Sequence, residues 1–167
     1  MKAVLMSIQP KWCVKIASGE KTVEVRKTRP KIKTPFKVYI YMTAGDASYP
    51  VKIDGFPMIC HNNGGMAVIG EFVCDEIYSD ANLNLKTSEL LDNACLTLFD
   101  IAKYLKPKQV AHFWHISNLI IYDKPKELSE FTKVKKLMDA CEIDCINCGF
   151  CKVKRPPQSW CYVEELR

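Results

Sequence analysis

Gly19-Glu20-Lys21-Thr22-Val23-Glu24-Val25-Arg26 decides the reading of this chain. It follows a stretch with helical spacing and opens on a glycine, the residue that ends helices at a left-handed turn. From Thr22 onward polar and apolar residues alternate, which predicts a strand. Thr22, Glu24 and Arg26 then share one face, and Val23 and Val25 anchor the other in a core. Lys21 sits at the turn, where its amine can swing over Glu24. Two cations and one acid in so small a space suit an anionic or strongly polar ligand, with a nucleotide the natural candidate. The plain alternative is an amphipathic edge strand carrying a surface ion pair of little energetic value.

Working outward, Ala3 to Ile8 predicts a strand, and Pro10 suits the first turn of a helix whose stripe is Trp12, Cys13, Ile16 and Ala17. Arg29 to Pro35 reads as a loop, and Phe36 to Thr43 as a strand rich in aromatic and β-branched residues. Gly45 to Gly65 reads as a long loop, and Met66 to Tyr78 as the next strand, with a bulge or close approach at Gly70. Helical stretches are expected at Ser88 to Asn93 and Leu96 to Lys106, then a strand over His112 to Tyr122. Leu128 to Phe131 predicts a turn, Thr132 to Ala140 a helix, and Ser159 to Leu166 a last strand. Antiparallel strands with helices outside them predict an α+β fold around a small mixed or antiparallel β-barrel.

The chain has 167 residues, 48% of them apolar and 26% charged, which suits one globular domain spanning 1–167. No apolar run predicts a signal peptide or a membrane span, so a cytoplasmic protein without membrane partners is expected. The net charge of +5 is uneven: residues 1–42 hold eight Lys and two Arg against two Glu, a balance of +8 that leaves −3 for the rest. A basic segment beside a polar pocket can hold phosphates and steer an anionic partner, or can simply be a solvated loop.

Gly19, Lys21, Glu24 and Arg26 together spell Gly-x-Lys-x-x-Glu-x-Arg, which resembles the signature of the ASCH domain of the PUA-like superfamily. Ser7-Ile8-Gln9-Pro10-Lys11-Trp12, Lys27-Thr28-Arg29-Pro30-Lys31 and Lys154-Arg155-Pro156-Pro157-Gln158-Ser159-Trp160 resemble ASCH proteins of bacterial and prophage origin. The resemblance covers the first half and the final strand, and part of the stretch from Ala81 to Phe150 looks like an insertion. It implies a PUA-like barrel with flanking helices and RNA or a modified nucleotide as partner, bound in a cleft lined by Lys21, Glu24 and Arg26 beside Gly19. Lys27, Arg29, Lys31 and Lys33 are expected to hold phosphates along its rim. The competing reading is an enzyme using the same cleft, either a small hydrolase or a ribonuclease, with Lys21 and Glu24 catalytic. Some ASCH amidohydrolases that deacetylate N4-acetylcytidine resemble this chain around Lys21. They carry a threonine where Glu24 stands here, and a carboxylate cannot donate that hydroxyl hydrogen bond.

Trp12, Tyr39, Tyr41, Trp114 and Trp160 are candidates for a base-stacking platform, though aromatics at strand spacing are usually core. Glu71 is a candidate second carboxylate, or a solvated strand charge. The histidines at 112 and 115 receive no role. Cys141, Cys145, Cys148 and Cys151 place four of the nine cysteines in eleven residues, the spacing of a closed structural zinc site. Such a clip would order a Cys-rich insertion at about 132–155. An iron–sulfur cluster with Cys161 as a further ligand, or plain thiols on one helical face, are the alternatives.

Overall fold

The computed structural model describes residues 1–45, 48–53, 56–61, 66–81, 85–107, 109–134 and 151–166. Strand β1 (Lys2–Ile8) is buried from Ala3 to Ile8 on both faces, as a central strand should be. It pairs in parallel with β3 (Phe36–Met42) and antiparallel with the last strand, β10 (Trp160–Glu164). A parallel neighbour requires a crossover. That crossover carries helix α1 (Pro10–Ala17) and the motif strand β2 (Val23–Arg26).

With β6 (Ala67–Cys74) and β9 (Ser117–Lys126), these strands make a mixed sheet ordered β10-β1-β3-β6-β9. Alternation along β1 splits the core. Val4, Met6 and Ile8 pack with Cys13, Ile16, Phe72 and Trp114, whereas Ala3 and Leu5 pack with Tyr39, Phe131 and Val153. Strand β2 joins β8 (Ala111–His115) and β7 (Ile77–Asp80) in a second, antiparallel sheet. One face of it sends Trp114 and Ile77 into the first cluster. Its other face buries Val23, Val25 and Phe113 with Leu91 of α2 (Leu85–Asn93) and Ile101 of α3 (Leu98–Tyr104).

The α+β class therefore holds, but the described strands form three sheets with no closed barrel among the described residues. The third sheet corrects the long loop expected over Gly45 to Gly65: β4 (Ser48–Ile53) and β5 (Phe56–His61) pair antiparallel. Two strand-forming runs separated by Asp54-Gly55 are a hairpin signal, masked in the sequence by Pro50 and Pro57. A two-stranded ribbon consists only of edges, where proline is tolerated. The strand expected over Met66 to Tyr78 breaks at Asp75-Glu76 into β6 and β7, and that over His112 to Tyr122 breaks at Ile116 into β8 and β9. In both cases the chain passes from one sheet to the other. Gly70 marks a register shift against both neighbours of β6. A Cβ there would lie 2.4 Å from the carbonyl oxygen of Ile120, so the close approach expected at this glycine is real.

Leu128–Glu130 is a single 3-10 turn. Thr132 and Lys133, expected to begin a helix, instead bridge to Lys152 and Val163, and residues 135–140 of that expectation lie outside the described residues. Among the described residues no helix is long and apolar enough to cross a membrane.

Candidate functional site

Helix α1 ends at Ser18, and Gly19 follows with φ of +78°, a conformation that costs a glycine little. The Lys21 amide then donates back to the Lys15 carbonyl at 2.9 Å, and Thr22 N–H donates to the Asn93 carbonyl at 2.9 Å. The motif is thereby fixed between the ends of α1 and α2. Lys21 Nζ donates to the Ala94 carbonyl at 2.7 Å, just beyond the last turn of α2, where unpaired carbonyls favour a cation.

Glu24 lies between two cations. Its Oε2 is 3.3 Å from Lys21 Nζ, and its Oε1 is 3.2 Å from Arg26 Nη2. Lys21 is 2% exposed and Glu24 6%, so this is a buried charge cluster rather than the surface pair that alternation alone allows. Arg26 Nη2 also donates to the Ser7 carbonyl at 2.7 Å. The cluster is not saturated: Glu24 Oε2 and Arg26 Nε lack hydrogen-bond partners among the described residues. The Lys21 contact is within ion-pair distance but not in hydrogen-bond geometry, so a carboxylate oxygen keeps unused accepting capacity.

Above the cluster lies a cavity of ≈ 670 Å³, a volume in the range of small-ligand sites. Its walls are the end of β1, the start of α1, β2, α3 and the chain entering β10 at Gln158 and Ser159. Lys11, Lys21, Arg26 and Lys103 line it together with Glu24 and Asp100, four cations and two carboxylates. Asp100 is committed to the cap of α3: its Oδ2 accepts from Thr97 N at 2.8 Å and Thr97 Oγ1 at 2.6 Å. Those hydrogen bonds, with Lys11 and Lys103 nearby, hold its carboxyl below the usual range. Trp12 has Lys11 Nζ 4.5 Å and Lys21 Nζ 5.0 Å from its ring centroid.

Of the residues singled out in the sequence, Lys21, Glu24 and Arg26 line the cavity, and Gly19 shapes the turn that delivers them. Lys27 reaches its edge by lying 4.4 Å over the ring of Tyr104, a lining residue. Arg29, Lys31 and Lys33 are exposed on the following loop and do not line the cavity. That loop is held from the other side, where Lys31 N–H donates to Tyr162 Oη at 2.7 Å and Trp160 Nε1 donates to Thr28 Oγ1 at 3.0 Å. Motif reading missed Lys11, Lys103 and Tyr104. Lys11 was signalled by its place beside Trp12 at the helix start, but nothing local marks the two residues on α3.

Tyr39, Tyr41 and Trp114 are core side chains at 0–2% exposure, which removes them as stacking platforms; of the five aromatics considered, only Trp12 lines the cavity. Glu71 is not a second carboxylate in the cavity. It accepts from Tyr122 Oη at 2.5 Å and pairs with Lys37 at 2.8 Å. The histidines hold structural partners: His112 Nδ1 meets Ser79 Oγ, and His115 Nδ1 meets Asp75 Oδ1, each at 2.7 Å. Of the cysteine run only Cys151 is described, half-buried; Cys141, Cys145 and Cys148 lie outside the described residues.

No protein-family model matches the chain, and no curated protein matches it in sequence. Solved structures do match. A serine-to-alanine variant of the ASCH protein from Zymomonas mobilis is 20% identical, with a TM-score of 0.63 over 98% of this chain and 89% of that one. The ASCH structure from the same organism without that substitution is 21% identical, with a TM-score of 0.57 over 98% and 88%. A tyrosine-to-phenylalanine variant gives 21% and 0.58 over 99% and 92%. Identity this low speaks to architecture alone, and in architecture the chain has the fold of the ASCH proteins.

Proposed function

We propose that this protein binds nucleic acid, as RNA or a modified nucleotide, in the cavity above Lys21, Glu24 and Arg26. One observation carries the reading: a nucleotide-sized cavity in which four cations outnumber two carboxylates and an indole forms part of the wall. Lys11 and Lys103 are placed for phosphate contacts, and the free accepting capacity of Glu24 suits a base amino or imino group. Arg29, Lys31 and Lys33, on the exposed loop beyond Lys27, take flanking phosphates outside the cavity. The four-cysteine run acts as a zinc clip for the segment that carries it. Fluorescence anisotropy of a labelled single-stranded RNA across a salt series tests the binding. Lys11→Ala with Lys103→Ala should weaken it and lower the salt slope by about one for each phosphate no longer held. Unchanged affinity and slope would place the ligand elsewhere.

A second reading is favoured by the way Lys21 Nζ is fixed by the Ala94 carbonyl next to the Glu24 carboxylate. A pre-positioned amine and carboxylate in a cavity can serve hydrolysis of an acylated nucleoside or of RNA. Mass spectrometry of short RNAs and N4-acylated cytidines separates the two readings. Turnover by the wild type that Lys21→Ala abolishes, with circular dichroism unchanged, makes the protein an enzyme. Substrates recovered intact leave the binding module.

A further inference from the structure

Helix α3 gives Asp100, Lys103 and Tyr104 to the cavity wall, yet its most exposed hydrophobic side chain, Phe99, has no place in that wall or in the core. Phe99 is 76% exposed, while Ile101, two residues on, is fully buried and fixes the helix against β2 and β8. At 100° per residue Phe99 must then point away from the core, and it lies one turn before Lys103 on adjoining helix surface. The ring therefore stands outside the cavity wall, on helix surface that adjoins Lys103.

Its surroundings are cationic. Lys103 of α3 and Lys11 of α1 line the same cavity as Asp100. Tyr104, the other ring on α3, already carries Lys27 at 4.4 Å. An anionic backbone leaving the cavity past Lys103 would pass Phe99 next. A neutral aromatic beside a lysine at the mouth of a basic cavity is a combination with which proteins hold single strands, stacking bases on the ring and pairing phosphates with the amines.

We propose that Phe99 is the stacking platform for a second base, so that the ligand is a single-stranded oligonucleotide with one nucleotide in the cavity and the next on α3. The inference rests on the nucleotide reading of the cavity and adds to it a subsite and a preference for strands over free nucleotides. Being exposed, Phe99 can be replaced without opening the core.

The test is the affinity of uridine monophosphate and of a labelled uridine tetranucleotide for wild type, Phe99→Ala and Phe99→Trp at fixed salt. The tetranucleotide should bind wild type more tightly than the monophosphate and lose about tenfold in Phe99→Ala, the effect of one stacked base. Phe99→Trp should retain it, the monophosphate should not respond to either change, and the salt slope should stay constant. A tetranucleotide bound equally by wild type and Phe99→Ala overturns the proposal while monophosphate binding upholds the cavity reading. Failure of both ligands to bind overturns both. Loss of self-association in Phe99→Ala, with RNA affinity unchanged, would assign the ring to a protein contact instead.

Discussion

Arg26 donates through Nη2 to the carbonyl of Ser7 at 2.7 Å, so a guanidinium on the three-stranded sheet is tied to the backbone of β1, an interior strand of the five-stranded one. The same nitrogen lies 3.2 Å from Glu24 Oε1. Its removal leaves the buried Glu24 carboxylate with Lys21 alone and takes a donor from the Ser7 carbonyl. Arg26→Ala is expected to cost about 3–5 kcal/mol of stability, the range for breaking one side of a buried ion pair. Urea denaturation measures it; a loss under about 1 kcal/mol would mean that the cluster is hydrated and weak.

Gly70→Ala tests the sheet rather than the site. The added methyl would stand 2.4 Å from Ile120 O and 3.1 Å from Ile121 Cδ1, and a backbone oxygen cannot swing aside. A destabilisation of about 1–3 kcal/mol is expected, read from the same denaturation curves, with nucleotide affinity below the transition unchanged.

Stability should fall as pH rises above about 9. Burial pushes the Cys13 thiol well above its ordinary 9.0 and raises that of Cys74 to about 12. Burial raises the Tyr39 and Tyr122 hydroxyls as well. In the unfolded chain the two thiols ionise from about pH 9, while the folded chain keeps their protons. The unfolded state then binds fewer protons, so each thiol lowers stability by up to about 1.4 kcal/mol per pH unit, from full stability below that pH. Denaturation midpoints between pH 7 and 10.5, in reductant, should drop, and Cys13→Ala should flatten the slope. A flat profile in the wild type would show that these thiols are solvated.

Elemental analysis of protein expressed without added metal should find about one equivalent of zinc, the stoichiometry of a four-thiolate site. Cys145→Ser or a strong chelator should remove it and expose residues near 132–155 to proteolysis. Neither zinc nor iron near one equivalent would leave the run as ordinary thiols.

The motif strand was legible because its signals are local. Two-residue alternation placed Val23 and Val25 in the core and brought Glu24 to Arg26, and the glycine after α1 put Lys21 beside Glu24. The burial of this cluster was not legible, since it depends on Ser7, Ala94 and α3 closing around it from other parts of the chain. Lys103 and Tyr104 escaped for the same reason: a helix with one buried position, Ile101, carries too little periodicity to say which flank meets a cavity. Tyr39 and Tyr41 are core, as aromatics at strand spacing usually are, but the sequence could not single out Trp12 from them, because aromatic residues look alike whether they face a cavity or a core. The β4–β5 hairpin was hidden by prolines that a ribbon of two edge strands accommodates.

The cavity wall is completed by Gln158 and Ser159, held to β1 where Ser7 N–H donates to the Ser159 carbonyl at 2.9 Å and Ser7 Oγ to the Pro157 carbonyl at 2.6 Å. All its other lining residues come at or before Tyr104 in the sequence. During synthesis the binding pocket therefore stays open on one side until more than fifty further residues have left the ribosome. A nascent chain cannot capture its ligand early, and ligand added during translation should protect only chains that have passed residue 159.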